Sequence, residues 1–154
     1  MAKSQTDHRP DVDSSLNAGK DALRAVASTY GDALGDLVYA VTVGSEALYR
    51  KSLTADAINT HINEVKQIVP KIKVGTADSY TSYTDGSADP IIKNPNVEIM
   101  LANGFPYWQG QKIENATASF FDDMAQALQR VQTVSGSNTK IEFMVGETGT
   151  FPFP

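Results

Sequence analysis

The sequence predicts an α/β domain built on a parallel sheet, and three observations carry that expectation. Short β-rich apolar runs recur along the chain, stretches with helical periodicity separate them, and two of the runs end on a glutamate one or two residues past a glycine. Strands joined through crossover helices run parallel with right-handed connections, which brings their C-terminal ends to one side. At 154 residues and 41% hydrophobic, the chain can bury the core of one domain.

The first helix is expected from Ser15 to Tyr30, with Leu16, Leu23, Val26, Ala27 and Tyr30 as its buried stripe. Lys20, Asp21, Arg24 and Ser28 are left to solvent, and Asp13 or Ser14 serves as N-cap. Gly31 and Gly35 break this helix, and Val38 to Gly44 reads as the first strand. A second helix runs from Thr54, its N-cap, to Val69, with Ile58, Ile62 and Val65 on one face and Pro70 closing it. Ile72 to Thr76 is the second strand, with Asp78 and Tyr80 past its end.

Residues 78 to 96 have loop chemistry, read as a binding loop or a loop with a short helix. The spacing of Asp78, Asp85 and Asp89 does not fit a calcium loop. Val97 to Ala102 is the third strand. The last helix, Ala116 to Val134, carries Phe120, Met124, Leu128 and Val131 on one face. Ile141 to Val145 closes the pattern as a strand apolar enough to be buried on both faces.

The chemistry collects at the strand ends. Glu46 follows Gly44-Ser45, and Glu147 stands between Gly146 and Gly149, where the backbone bends easily and a ligand can come close. Two carboxyl groups delivered to one rim suit glycoside hydrolysis. Asn103-Gly-Phe-Pro-Tyr-Trp108, at the end of the third strand, offers an aromatic shelf for the C–H face of a sugar and an amide for its hydroxyls.

Other chemistries are disfavoured. The formal charge of −5 and the lack of a basic cluster argue against a nucleic-acid partner. There is no cysteine. Of the two histidines, His8 lies in a polar leader and His61 on a helix, at the surface, so no metal site or Ser-His triad is expected. Gly44-Ser45-Glu46 does not complete a nucleophile elbow, no cofactor fingerprint follows a strand, and no apolar run reaches membrane-spanning length. Topology alone leaves a doubly wound sheet and a piece of a barrel undecided.

Four segments carry a resemblance: Ala40-Val-Thr-Val-Gly-Ser-Glu-Ala-Leu-Tyr-Arg50, Lys73-Val-Gly-Thr-Ala-Asp-Ser79, Leu101-Ala-Asn-Gly-Phe-Pro-Tyr-Trp-Gln109 and Ile141-Glu-Phe-Met-Val-Gly-Glu-Thr-Gly149. Together they closely resemble fungal cell-wall β-1,3-glucanases of glycoside hydrolase family 17, in order, over residues 10 to 149. The resemblance implies a (β/α)8 barrel and retaining hydrolysis of β-1,3-glucan, or transfer to another glucan, without a cofactor. By the same resemblance Glu46 is the acid/base, Glu147 the nucleophile, and Asn103, Phe105, Tyr107 and Trp108 contact sugar. Asp78 and Tyr80 carry over as further contacts. Ser45 stands where many related barrels have an asparagine that bonds the sugar 2-hydroxyl.

Residues 1 to 9 read as an unrelated polar leader and 150 to 154 as a divergent end. A complete barrel of this type takes about 250 residues. The chain therefore reads as a truncated member holding about strands four to seven of eight, with unpaired edges open to self-association. Family kinship implies secretion to the cell wall, although residues 1 to 9 do not have the form of a signal peptide. The competing expectation is an inactive fragment with at most residual glucan binding.

Overall fold

The computed structural model describes residues 12–136 and 140–149, so the leader and the C-terminal end lie outside the described residues. Among the described residues six helices and four strands follow one another as α1 (Val12–Tyr30), a 3-10 turn (Gly31–Ala33), α2 (Leu34–Leu37), β1 (Ala40–Ser45), α3 (Ala55–Ile68), β2 (Lys73–Ser79), α4 (Tyr80–Thr84), α5 (Asp89–Ile92), β3 (Ile99–Gly104), α6 (Ile113–Ser135) and β4 (Glu142–Thr148). The strands form one sheet in the order β1-β2-β3-β4, and every pairing is parallel. Parallel pairing thus follows from the alternation of periods in the sequence.

The sheet separates two environments by strand parity. Val43, Val74, Met100 and Ala102 point into one core with Ile58, Ile62 and Val65 of α3, Ile91 and Ile92 of α5, and Met124, Ala127 and Val131 of α6. Their strand neighbours Lys73, Leu101 and Asn103, and Glu142 paired with Ile99, stand on the opposite face. A bidentate pair from the Arg130 guanidinium to Asp89, at 2.9 and 2.5 Å, ties α5 to α6. Thr54 caps α3 as expected, its hydroxyl accepting from the Ala57 amide at 3.2 Å.

The sheet is strongly curled. Ser45 of β1 reaches Glu147 of β4, with the hydroxyl donating at 3.4 Å, although two strands separate them. In a flat sheet these strands would lie about 14 Å apart, at about 4.8 Å per spacing, beyond the reach of a serine and a glutamate. A second bridge spans the other end of the strands. The Tyr39 hydroxyl donates to both oxygens of Glu142 at 2.8 and 2.6 Å, and Lys73 Nζ donates to Glu142 at 2.5 Å and to the Tyr39 hydroxyl at 2.8 Å. The Glu142 carboxylate, then Tyr39, raises the Lys73 ammonium above its ordinary value, and Lys73 in turn lowers Glu142.

Several expectations are corrected by the packing. β4 is not buried on both faces: it is a sheet edge among the described residues, with Met144 41% and Val145 46% exposed. Glu147 and Asp78 lie inside β4 and β2 rather than past their ends. On α1, Val26 and Tyr30 are exposed and Lys20 is buried. Positions 16, 20, 23 and 27 share the face turned to α3, and Lys20 enters it because its ammonium pairs with Glu64 and lies 3.3 Å from His61 Nδ1. His61 is correspondingly drawn in, its side chain 13% exposed. On α6, Leu128 is exposed and Ala127 takes the core position, one residue earlier in the turn. Residues 78 to 96 finish β2 and form two short helices.

Gly75 is the tightest point in the sheet. A Cβ there would lie 1.6 Å from the Ile99 carbonyl oxygen. Gly75→Ala is expected to abolish the cooperative urea transition, whereas Thr54→Ala should cost only about 1 kcal/mol; circular dichroism during urea titration reads both.

Candidate active site

Glu46 sits immediately after β1 in a left-handed conformation, φ 53°, and Gly44 just before it is also left-handed, φ 76°. A non-glycine residue in that region costs about 1–2 kcal/mol and persists only where its surroundings hold it. Here the Glu46 amide donates to the Ala77 carbonyl at 3.0 Å, and its own carbonyl accepts from the Arg50 amide at 2.9 Å. The carboxylate, 21% exposed, accepts from Asn103 Nδ2 at 3.2 Å and has Arg50 Nη1 at 3.8 Å. The Arg50 guanidinium also donates to the Ser45 carbonyl.

Asp78 underlies this turn. Its carboxylate is fully buried and accepts four hydrogen bonds, from the Leu48 amide at 2.8 Å, the Tyr49 amide at 3.1 Å, the Ser79 amide at 2.8 Å and the Ser82 hydroxyl at 2.7 Å. With both oxygens occupied and no exposed surface, Asp78 holds the segment that follows Glu46 and does not face sugar, contrary to the sequence-based expectation.

The groove beside Glu46 has a volume of about 300 Å³ and is lined by Glu46, Tyr49, Ser79, Tyr80, Thr81, Asn103, Phe105, Trp108 and Gln109. It therefore gathers Glu46, Asn103, Phe105, Trp108 and Tyr80 from the sequence-derived set. Trp108, 78% exposed, presents most of its ring to solvent. Tyr107 stands outside the lining and packs edge-on against Trp108, with centroids 5.0 Å apart. Glu147 is not in the lining either but is joined to the same rim through Ser45. Asn103 is 1% exposed and forms part of the floor, its amide turned to Glu46.

Sequence reading missed Tyr49, Thr81, Arg50 and Gln109. The i, i+4 spacing of Glu46 and Arg50 was the one available signal. Gln109 is fixed at both ends: its Nε2 donates to Asp123 at 2.5 Å and its Oε1 accepts from the Ser119 hydroxyl at 3.0 Å. Burial raises the Asp123 carboxyl above the usual range, against the lowering effect of the Gln109 bond. Burial, then the charge of Asp123, also raises the Tyr80 phenol. Among the described residues no group of three or more His, Cys, Asp or Glu could hold a metal ion, and no helix is long and apolar enough to cross a membrane.

The model of the BtgE/BtgC glycoside hydrolase domain matches residues 9–152. The chain belongs to that family. It is 41% identical over 140 residues to a glucan 1,3-beta-glucosidase of Arthroderma benhamiae, covering 91% of this chain and 44% of the relative. A glucan 1,3-beta-glucosidase of Saccharomyces cerevisiae is 45% identical over 118 residues, 70% of this chain and 37% of the relative. Among solved structures, the glycoside hydrolase family 17 beta-1,3-glucanosyltransferase from Rhizomucor miehei superposes with a TM-score of 0.66 at 29% identity, over 92% of this chain and 47% of that one. An active-site mutant of the R. miehei enzyme in complex with laminaritriose gives 0.65 at 28% identity. This member of the family thus spans less than half the length of these relatives.

Two outcomes follow for this family member. Asp78→Ala leaves four donors without their acceptor and should lower the unfolding free energy by more than about 3 kcal/mol in urea titration. Asp123 has a raised native pKa, so its contribution to stability is full below the unfolded value of about 3.9 and is lost as pH rises through the native value. Asp123→Asn keeps an acceptor for Gln109 and should match the unmutated chain in melting temperature near pH 3 but exceed it at pH 7.

Proposed function

We propose that this chain carries the acid/base and nucleophile pair of a retaining glycoside hydrolase acting on β-1,3-glucan, with Glu46 as acid/base and Glu147 as nucleophile. The observation that supports the reading most is the contact between Ser45 and Glu147, which brings residues from the two ends of the sheet to one rim. The relatives' names, glucan 1,3-beta-glucosidase and beta-1,3-glucanosyltransferase, and the laminaritriose in one of the structures point to the substrate class.

In this scheme Glu147 attacks the anomeric carbon while protonated Glu46 gives its proton to the departing glycosidic oxygen. Retention requires the two carboxyls about 5–5.5 Å apart. The glycosyl ester on Glu147 is then released by water, or by the hydroxyl of a second glucan, deprotonated by Glu46. Phe105 and Trp108 supply the apolar surface for sugar rings, and Gln109, held at both ends, supplies polar contact from the groove wall. Kinship with fungal glucan 1,3-beta-glucosidases supports the cell wall as the setting of such an activity.

Glucan binding without turnover is a second reading, favoured by the exposure of β4, which carries Glu147 on a sheet edge. Reducing-sugar release from laminarin separates the two. Under the first reading the chain releases sugar with retained anomeric configuration, and Glu46→Gln or Glu147→Gln lowers the rate by about 10³-fold or more with the fold unchanged by circular dichroism. Under the second the unmutated chain releases none, yet binds laminarin with an affinity that Trp108→Ala weakens.

A further inference from the structure

Asn103 is a buried amide with only one end in use. Its Nδ2 donates to Glu46 Oε1 at 3.2 Å, while Oδ1 is buried and has no hydrogen-bond partner among the described residues. An acceptor left unpaired away from solvent is destabilising, and native structures avoid it unless the group has another state to serve. Donor and acceptor of an amide sit on one pivot. A half turn about the Cβ–Cγ bond exchanges them, and the group then facing Glu46 is an acceptor.

We propose that Asn103 is a positioning residue whose amide reverses with the protonation of Glu46, Nδ2 donating to the carboxylate and Oδ1 accepting from the carboxylic acid. This rests on Glu46 being the acid/base. A retaining cycle needs that group protonated in its first half and ionised in its second, and Arg50, which has no acceptor atom, cannot take a hydrogen bond from the protonated acid. An amide can hold the side chain in place in both states.

The surroundings permit the reversal. The end of the amide away from Glu46 lies against Gly146, where a Cβ would come within 2.4 Å of Oδ1. Oδ1 makes no hydrogen bond there, so exchanging it for the NH2 group breaks none on that side. This gives the glycine before Glu147 a second reason to be glycine. The other titratable groups around Glu46 are Arg50 at 3.8 Å, Glu147 across Ser45, and the phenols of Tyr49 and Tyr80 in the groove wall.

The test is nuclear magnetic resonance of the uniformly labelled chain across the titration of the Glu46 carboxyl carbon. Below its midpoint a cross-relaxation peak between the Asn103 side-chain NH2 and the Gly146 Hα protons is expected, and above the midpoint that peak disappears. Glu46→Gln should remove the pH dependence and Glu147→Gln should leave it. A peak that is the same on both sides of the midpoint, or that follows Glu147 instead, overturns the proposal. The reading needs no turnover, so an inactive chain with a reversing amide sinks only the assignment of activity, and an active chain with a fixed amide sinks only this inference.

Discussion

One buried carboxylate organises the rim. Asp78 draws in two amides from the turn after Glu46, one amide of its own strand end and one hydroxyl from α4, so the ends of β1 and β2 and the start of α4 share one anchor. Burying a charge is costly, and charge-assisted bonds from oriented donors are what offset it. The left-handed Glu46 can be understood on that basis. Its backbone is held on one side by Ala77, next to Asp78 in β2, and on the other by the turn that Asp78 ties down.

The two glutamates are mounted on a curled sheet. Asn103, in β3, touches Glu46 with its amide nitrogen and crowds Gly146 of β4 with its oxygen. The middle of the sheet therefore couples strands at its two ends. The likeness to the R. miehei structure covers 47% of that chain, which fits a curved half of a longer β/α arrangement.

Much of this was legible in sequence. The alternation of helical and strand-like periods gave all four strands, the three long helices and their parallel order, and the glycine-flanked glutamates marked one rim. What was not legible has common causes. The ends of β2 and β4 were placed three residues early because Asp78 and Glu147 read as turn residues, although Asp78 pairs with Ala102 and Glu147 lies in an irregular stretch before the paired Thr148. Lys20 and His61 read as solvent groups because each finds its partner on the other helix, more than forty positions away in sequence. Asp78 looked like a sugar contact since a motif gives the residue but not its direction. The run Ile141 to Val145 is apolar enough for full burial, yet hydropathy does not say which neighbours are present to cover it.

The latch among Tyr39, Lys73 and Glu142 sits at the floor of the half-cylinder, with the Lys73 ammonium 4.5 Å above the Tyr39 ring. It joins the start of β1 to β4 from within, as Ser45 and Glu147 do at the other end, so the bend is fastened at both ends of the strands.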